Sequence, residues 1–205
     1  MCPGRLIEYT ANIPFPPGCY AVPMIDRATR KARRDKRQQA LRRYEKHRQR
    51  NLLAKPGAHE FIVVLDHLKA GFNVPKIFRS AEVFGAAEVH LIGIGPFDVN
   101  PAKGAFKSVP ARFHEDFSPC HDELISRGYS LFALAAGADT PLPGSRLPVR
   151  SAFVVGHEEM GLSFDPRAFP DVGRLSIPQF GRIESLNVSI AASIVMYEYV
   201  RQHAR

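Results

Sequence analysis

Between residues 60 and 180 the chain alternates short apolar runs with segments whose apolar positions recur at helical spacing. FIVVL (61–65), EVHLIG (88–93), YSLFALAA (129–136), AFVVG (152–156) and GRLSIP (173–178) are continuous apolar or β-branched stretches, the pattern of strands buried on both faces. From Asn73 to Phe84, the residues Val74, Ile77, Phe78, Ala81 and Phe84 fall on one side of a predicted helix, and HDELISRG (121–128) reads as a weaker one. Such alternation predicts an α/β fold with a parallel sheet and helices on both faces. Ligands of parallel sheets sit beyond the carboxyl ends of the strands, which directs attention to the polar loops after AFVVG and GRLSIP. No internal repeat is present.

The stretch that follows, IPQFGRIESLNVSIAASIVMYE (177–198), has a different character. A loop containing Pro178 and Gly181 passes through Ser185-Leu186-Asn187 into a run where Leu186, Val188, Ile190, Ala191, Ile194, Val195 and Met196 cover nearly every face of a helix. That composition predicts a helix buried all round. Ser185 is well placed to cap its N-terminus.

The first 57 residues break the pattern. Residues 27–50 carry twelve Lys/Arg against two acidic residues, a net +10 in a chain whose total is +8, so the remainder is slightly acidic. The segment has good helix formers but no apolar stripe, which predicts a solvated helix or a disordered arm that buries no face. So dense a cationic cluster is the electrostatic footprint of nucleic-acid binding. Arg30, Arg33, Arg34, Arg37, Arg42 and Arg43 are the candidate phosphate contacts, which position a nucleic acid without reading its sequence. The preceding ANIPFPPGCYAVPMID is Pro-rich and predicted to be extended. Residues 1–57 are thus read as an arm and 58–205 as the folded domain.

Composition narrows the class further. No apolar run approaches the ~20 residues that a membrane span needs, so no membrane association is expected. MCPGRLIEYT has no apolar secretory core, and Cys2, Cys19 and Cys120 are odd in number and form no C-x-x-C pair. A reducing cytoplasm and no structural zinc are the expectation, and metal ligands are assigned to none of the eight histidines. GIGPFD (93–98) lacks the third glycine of a dinucleotide fingerprint, and no P-loop or nucleophile-elbow motif is present. HEEMG (157–161) begins like a zinc-protease helix but has Gly161 in place of the second histidine.

Three motifs remain, in one order: NVPKIFRSAEVFGAAEVHLIG (73–93), FVVGHEEMGLS (153–163) and IPQFGRIESLNVSIAASIVMYE (177–198). Together they resemble the signature motifs of the SpoU, or TrmH-like, branch of the SPOUT superfamily, S-adenosylmethionine-dependent RNA ribose 2′-O-methyltransferases. The resemblance covers roughly residues 60–200. It implies a C-terminal trefoil knot, which composition would not suggest because knots are rare, and a homodimer whose active site uses both subunits. It implies that Asn73, Arg79, Glu158, Ser185 and Asn187 serve catalysis. Leu134, Ala135, Gly156, Ile177 and Leu186 would hold the cofactor. AKGAFKS (102–108) resembles the family's RNA-facing loop, so Lys103 and Lys107 join the RNA-contact candidates. His157 and Glu159 stand where the family commonly has Asn and Gly, which leaves the shape of that loop open. The expected substrate is tRNA or rRNA; a non-catalytic RNA-binding protein of the same fold, or a base-modifying relative, is the alternative.

Overall fold

A computed structural model describes residues 27–182 and 185–204. The Pro-rich segment, Cys2, Cys19, the Arg30 side chain and Glu184 of the third motif lie outside the described residues. The chain divides after Lys36. In the first unit the described residues open helix α1 (Arg27–Asn51), with Lys31, Arg33 and Arg34 exposed.

The second unit begins at Arg37 and contains the sheet. Its strands are β1 (Ile62–Asp66), β2 (Glu88–Ile92), β3 (Ala111–His114), β4 (Ser130–Leu134), β5 (Ser151–Val155) and β6 (Gly173–Leu175). They form one sheet in the order β3-β2-β1-β5-β4-β6, with every pairing parallel. The five predicted strands are all present. β3 is additional to them, because Ala-Arg-Phe-His on a sheet edge has no continuous apolar run.

Alternation along β1 builds the two cores. Phe61, Val63 and Leu65 face one layer with α2 (Asn73–Val83) and α4 (Val188–His203); Ile62 and Val64 face the other with α3 (Phe117–Ser126). Burying such Val, Ile and Phe side chains contributes about 1.5–3 kcal/mol each. Pro75 sits within the first turn of α2, where its missing N–H costs nothing.

The basic segment is a helix, and contrary to expectation it does bury residues. Tyr44 is 3% exposed and packs against Phe97 and Phe106, with ring centroids 5.2 and 5.4 Å away. The Asn51 amide donates to the Phe106 and Val109 carbonyls at 2.6 and 2.7 Å and accepts from the Ala111 amide at 3.0 Å. A stripe is not required for docking when one aromatic ring and one fully bonded amide make the contact. Arg37, Arg42 and Arg43 remain exposed.

α4 is capped by Asn187, whose Oδ1 accepts from the Ser189 amide at 3.0 Å; the predicted cap, Ser185, lies two residues upstream. Tyr199 is fully buried against Phe61 and donates to the Val149 carbonyl, and burial pushes its phenol up to about 12. In the single chain the helix is not covered all round. Ile190 and Tyr197 are 52% and 59% exposed, beside a 68% exposed Val83 on α2. The Ser80 and Ser193 hydroxyls, 2.8 Å apart, and the Phe84–Tyr197 ring contact join the two helices.

The segment leading to β5 is tied on both sides. Thr140 and Leu142 bond the backbone of Ser176, while Ser145 and Leu147 bond Gln202 near the end of α4.

Candidate active site

Leu134, Val155 and Leu175 are the last residues of β4, β5 and β6, and a cavity of about 630 Å³ opens beyond them. Its size lies within the ~300–1,000 Å³ of ordinary ligand clefts. All five cofactor candidates, Leu134, Ala135, Gly156, Ile177 and Leu186, line it, and so do Glu158, Ser185 and Asn187. The lining comes from three loops that follow three strands, which is why no single stretch of sequence defines it.

The loop after β5 is a tight reversal. His157 and Gly161 exchange backbone hydrogen bonds at 2.7 and 2.9 Å. A Cβ on Gly156 would come within 2.6 Å of the Gly161 carbonyl, so glycine is required there by the returning backbone. Gly161 has φ +74°, a conformation costly for other residues. His157 Nδ1 accepts from the amides of Glu159 and Met160 at 3.1 and 3.2 Å. The ring nitrogen closes the turn as an asparagine oxygen would, so the departure from the family pattern preserves the reversal.

Glu158 is held by Asn73, whose Nδ2 donates to Oε1 at 2.7 Å. Asn73 Oδ1 in turn accepts from Asn187 Nδ2 at 3.2 Å, and Asn187 Oδ1 accepts from the Ser189 hydroxyl at 2.6 Å. Four residues from three separate regions thus form one amide-linked chain. Burial opposes the Glu158 charge, but bonds from Asn73 and from the backbone at Glu158 and Lys69 outweigh it and hold the carboxyl below its ordinary value. Asn73 is the first residue of α2 rather than its cap, which is Phe72.

Arg79 lies apart from this cavity. It is exposed, among the described residues it forms no ion pair with Glu82, and it lines a second groove of about 450 Å³ with Lys76, Ser80, Lys103 and Ser193. Lys103 therefore joins Arg79, whereas Lys107 is exposed nearer α1, where its charge helps lower the His47 imidazole after burial has done so.

Sequence reasoning missed Asp66. Its buried carboxylate accepts from the Ser163 amide and hydroxyl at 2.7 Å each and from His67 Nδ1 at 2.8 Å. It pins the loop carrying Glu158 to the end of β1. The signal was an acidic residue closing the apolar run FIVVLD.

Residues 60–197 match the SpoU rRNA Methylase family. The chain is 29% identical over 151 residues to a tRNA (guanosine(18)-2′-O)-methyltransferase of Thermus thermophilus, covering 71% of this chain and 77% of that protein. It is 30% identical over 168 residues to the 23S rRNA (guanosine-2′-O-)-methyltransferase RlmB of Xylella fastidiosa, covering 80% and 67%. Among solved structures it resembles the SpoU methyltransferase AviRb of Streptomyces viridochromogenes in complex with AdoMet, with a TM-score of 0.64 at 26% identity. That likeness covers 72% of this chain and 60% of AviRb.

Proposed function

The chain belongs to the SpoU rRNA Methylase family, and from that membership we infer that it is an S-adenosylmethionine-dependent methyltransferase acting on a ribose 2′-hydroxyl of tRNA or rRNA. The observation that carries the reading is the cavity at the ends of β4, β5 and β6, where residues of the second and third motifs converge. The cavity suits the cofactor. Leu134, Ile177 and Leu186 offer apolar walls to a purine and a carbon chain, and Ala135 and Gly156 keep side-chain bulk out of the way.

Bound there, S-adenosylmethionine supplies a methyl group on a positively charged sulfur, already activated for transfer. The protein's task is then to align the ribose hydroxyl and stabilise the charge that grows on its oxygen. Ser185 stands at the rim, and the Glu158–Asn73–Asn187 chain fixes the loops that shape the pocket. The guanidinium of Arg79 offers N–H donors and a positive charge but no acceptor, so it acts by positioning and by its charge, not as a base.

Because Arg79 faces a separate groove, the complete site is assigned to a homodimer in which Arg79 of one chain faces the partner's cavity. The exposed Val83, Ile190 and Tyr197 support this, since pairing would cover them. The bonding of segment 140–147 to Ser176 on one side and to Gln202 on the other, which brackets the stretch between them, supports a trefoil knot. Arg30, Arg33, Arg34, Arg37, Arg42 and Arg43 supply affinity for RNA from α1, with Lys103 and Lys107 on the body. Residues 58–205 are the methyltransferase domain in this reading.

The test is methyl transfer from labelled S-adenosylmethionine to total tRNA and to rRNA, wild type against Arg79→Ala, followed by nucleoside analysis. Label recovered as a 2′-O-methyl nucleoside and lost in the variant is the expected result. Label on a base would reassign the reaction, and absence of cofactor binding would overturn the enzymatic reading in favour of RNA binding alone.

A further inference from the structure

At the opposite edge of the sheet from β6, a buried face carries an unusual set of side chains. Parallel pairing sets His90 on β2 opposite Arg112 and Ile92 opposite His114 on β3. Glu88 and His90, two residues apart, share the face covered by α3, and both are buried beside a mainly apolar layer. Cys120, fully buried on α3, points at the same place. His114 Nε2 lies 3.1 Å from His90 Nδ1, and Cys120 Sγ lies 3.4 Å from that same nitrogen. All three donor atoms fall within 4.8 Å of one another.

We propose that His90 Nδ1, His114 Nε2 and Cys120 Sγ form a zinc-binding site that ties α3 to the β2–β3 edge of the sheet. Tetrahedral zinc with bonds of about 2.05 Å to nitrogen and 2.3 Å to sulfur has edges of about 3.3 Å between two nitrogens and 3.6 Å between nitrogen and sulfur. The two short separations come within a few tenths of an ångström of those edges. A mixed imidazole and thiol set suits zinc among the common divalent ions.

A second observation is independent of the donor triangle. Histidine ligands of zinc characteristically donate their other ring nitrogen to a carboxylate, which fixes the ring. His90 Nε2 is 3.0 Å from Glu88 Oε2. Glu88 is held in turn by Arg112 Nε at 2.9 Å and by both terminal nitrogens of Arg127, at 2.8 and 3.0 Å. The outer arrangement is thus in place around the ring whose inner nitrogen meets the other two donors. His114 is partly exposed, which gives a water molecule access to a fourth coordination position. The sequence offered no linear sign of this, because His114 and Cys120 lie 24 and 30 residues from His90 and on different elements.

The full-length protein, treated with chelator and desalted, is titrated with zinc chloride and desalted again, and its metal content and thermal midpoint are measured. The expected result is a single zinc retained per chain with a raised midpoint, loss of both effects in Cys120→Ser and in His114→Gln, and retention in a Cys2→Ser/Cys19→Ser variant. Cobalt substitution gives a direct signature: a thiolate-to-cobalt charge-transfer band in wild type that is absent in Cys120→Ser. Should Cys120→Ser fail to fold, the wild-type titration and the cobalt band still decide. No retained metal in wild type, or retention unchanged in both variants, would overturn the site and leave a hydrogen-bonded cluster only.

Discussion

Asn73 and Glu158 lie 85 residues apart in the chain and are joined by a 2.7 Å hydrogen bond at the mouth of the cavity. The bond spans from the first turn of α2 to the loop after β5, and Asn73 extends it to Asn187 at the start of α4. One amide therefore sets the relative placement of two of the three motifs and braces the third.

Replacing that amide separates positioning from stability. Asn73→Ala is expected to lower the methyl-transfer rate on the order of 10–100-fold, because small displacements of aligned groups are costly. Unfolding free energy should fall by only about 1–2 kcal/mol, because both hydrogen bonds of Asn73 are exposed and water can replace them. The sign of the pH effect is fixed: Glu158 has a depressed pKa when folded, so its favourable contribution is present above the ordinary carboxylate range and is lost as pH falls through the depressed value. Without the Asn73 donor that value rises, and the acid limb of activity should move to higher pH. Steady-state rates across pH for both proteins, with urea melts, measure all three.

Gly156→Ala tests the reversal after β5. The added methyl meets the Gly161 carbonyl carbon and oxygen at 2.6 Å and the Leu162 amide at 2.8 Å, all of them backbone atoms. The loop must open, at a cost of about 1–3 kcal/mol. Cofactor affinity measured by calorimetry should fall at least about tenfold, while RNA affinity, which rests on other surfaces, stays close to wild type.

The parts of this protein that could be read from the chain share a physical reason. β1 and β5 are buried on both faces, so residues 62–65 and 152–155 are apolar without interruption, and the third motif keeps its spacing because its residues serve one loop. What escaped has local sequence at odds with its surroundings. β3 is a half-exposed edge, Tyr44 and Asn51 dock from a polar helix, and Glu88 and His90 are buried only because Arg112, Arg127 and His114 arrive from other elements. Asn187 outcompetes Ser185 as cap because the chain turns into α4 two residues later than the apolar run suggests.

Asp66→Asn probes the anchor of the Glu158 loop. The change removes the charge that accepts from the Ser163 amide and hydroxyl and from His67, and hydrogen bonds to charged groups contribute about 1.5–3 kcal/mol each. With one amide oxygen still able to accept, a net destabilisation of about 2–4 kcal/mol is expected, read from urea midpoints at unchanged slope. A loss of that size accompanied by weaker cofactor binding would show that the loop, not only the core, depends on the anchor.

The basic helix should be cut where its chemistry changes. Deletion through residue 55 would remove Tyr44 from between Phe97 and Phe106 and strip Asn51 from the Phe106, Val109 and Ala111 backbone. Aromatic truncations of this kind cost about 3–5 kcal/mol, so such a protein would lose RNA binding for reasons of folding. Removal of residues 1–36 instead takes away six of the twelve basic residues in 27–50 and leaves both Tyr44 and Asn51 in place. The shorter deletion is expected to keep the thermal midpoint and cofactor affinity, weaken RNA binding, and flatten the slope of log affinity against log salt. For every phosphate that the shortened helix no longer neutralises, that slope should fall by about 0.7–0.9. Unchanged RNA affinity and an unchanged slope in the 1–36 deletion would remove the opening turns of α1 from the RNA surface and return the binding to Arg37, Arg42, Arg43 and the lysines of the body.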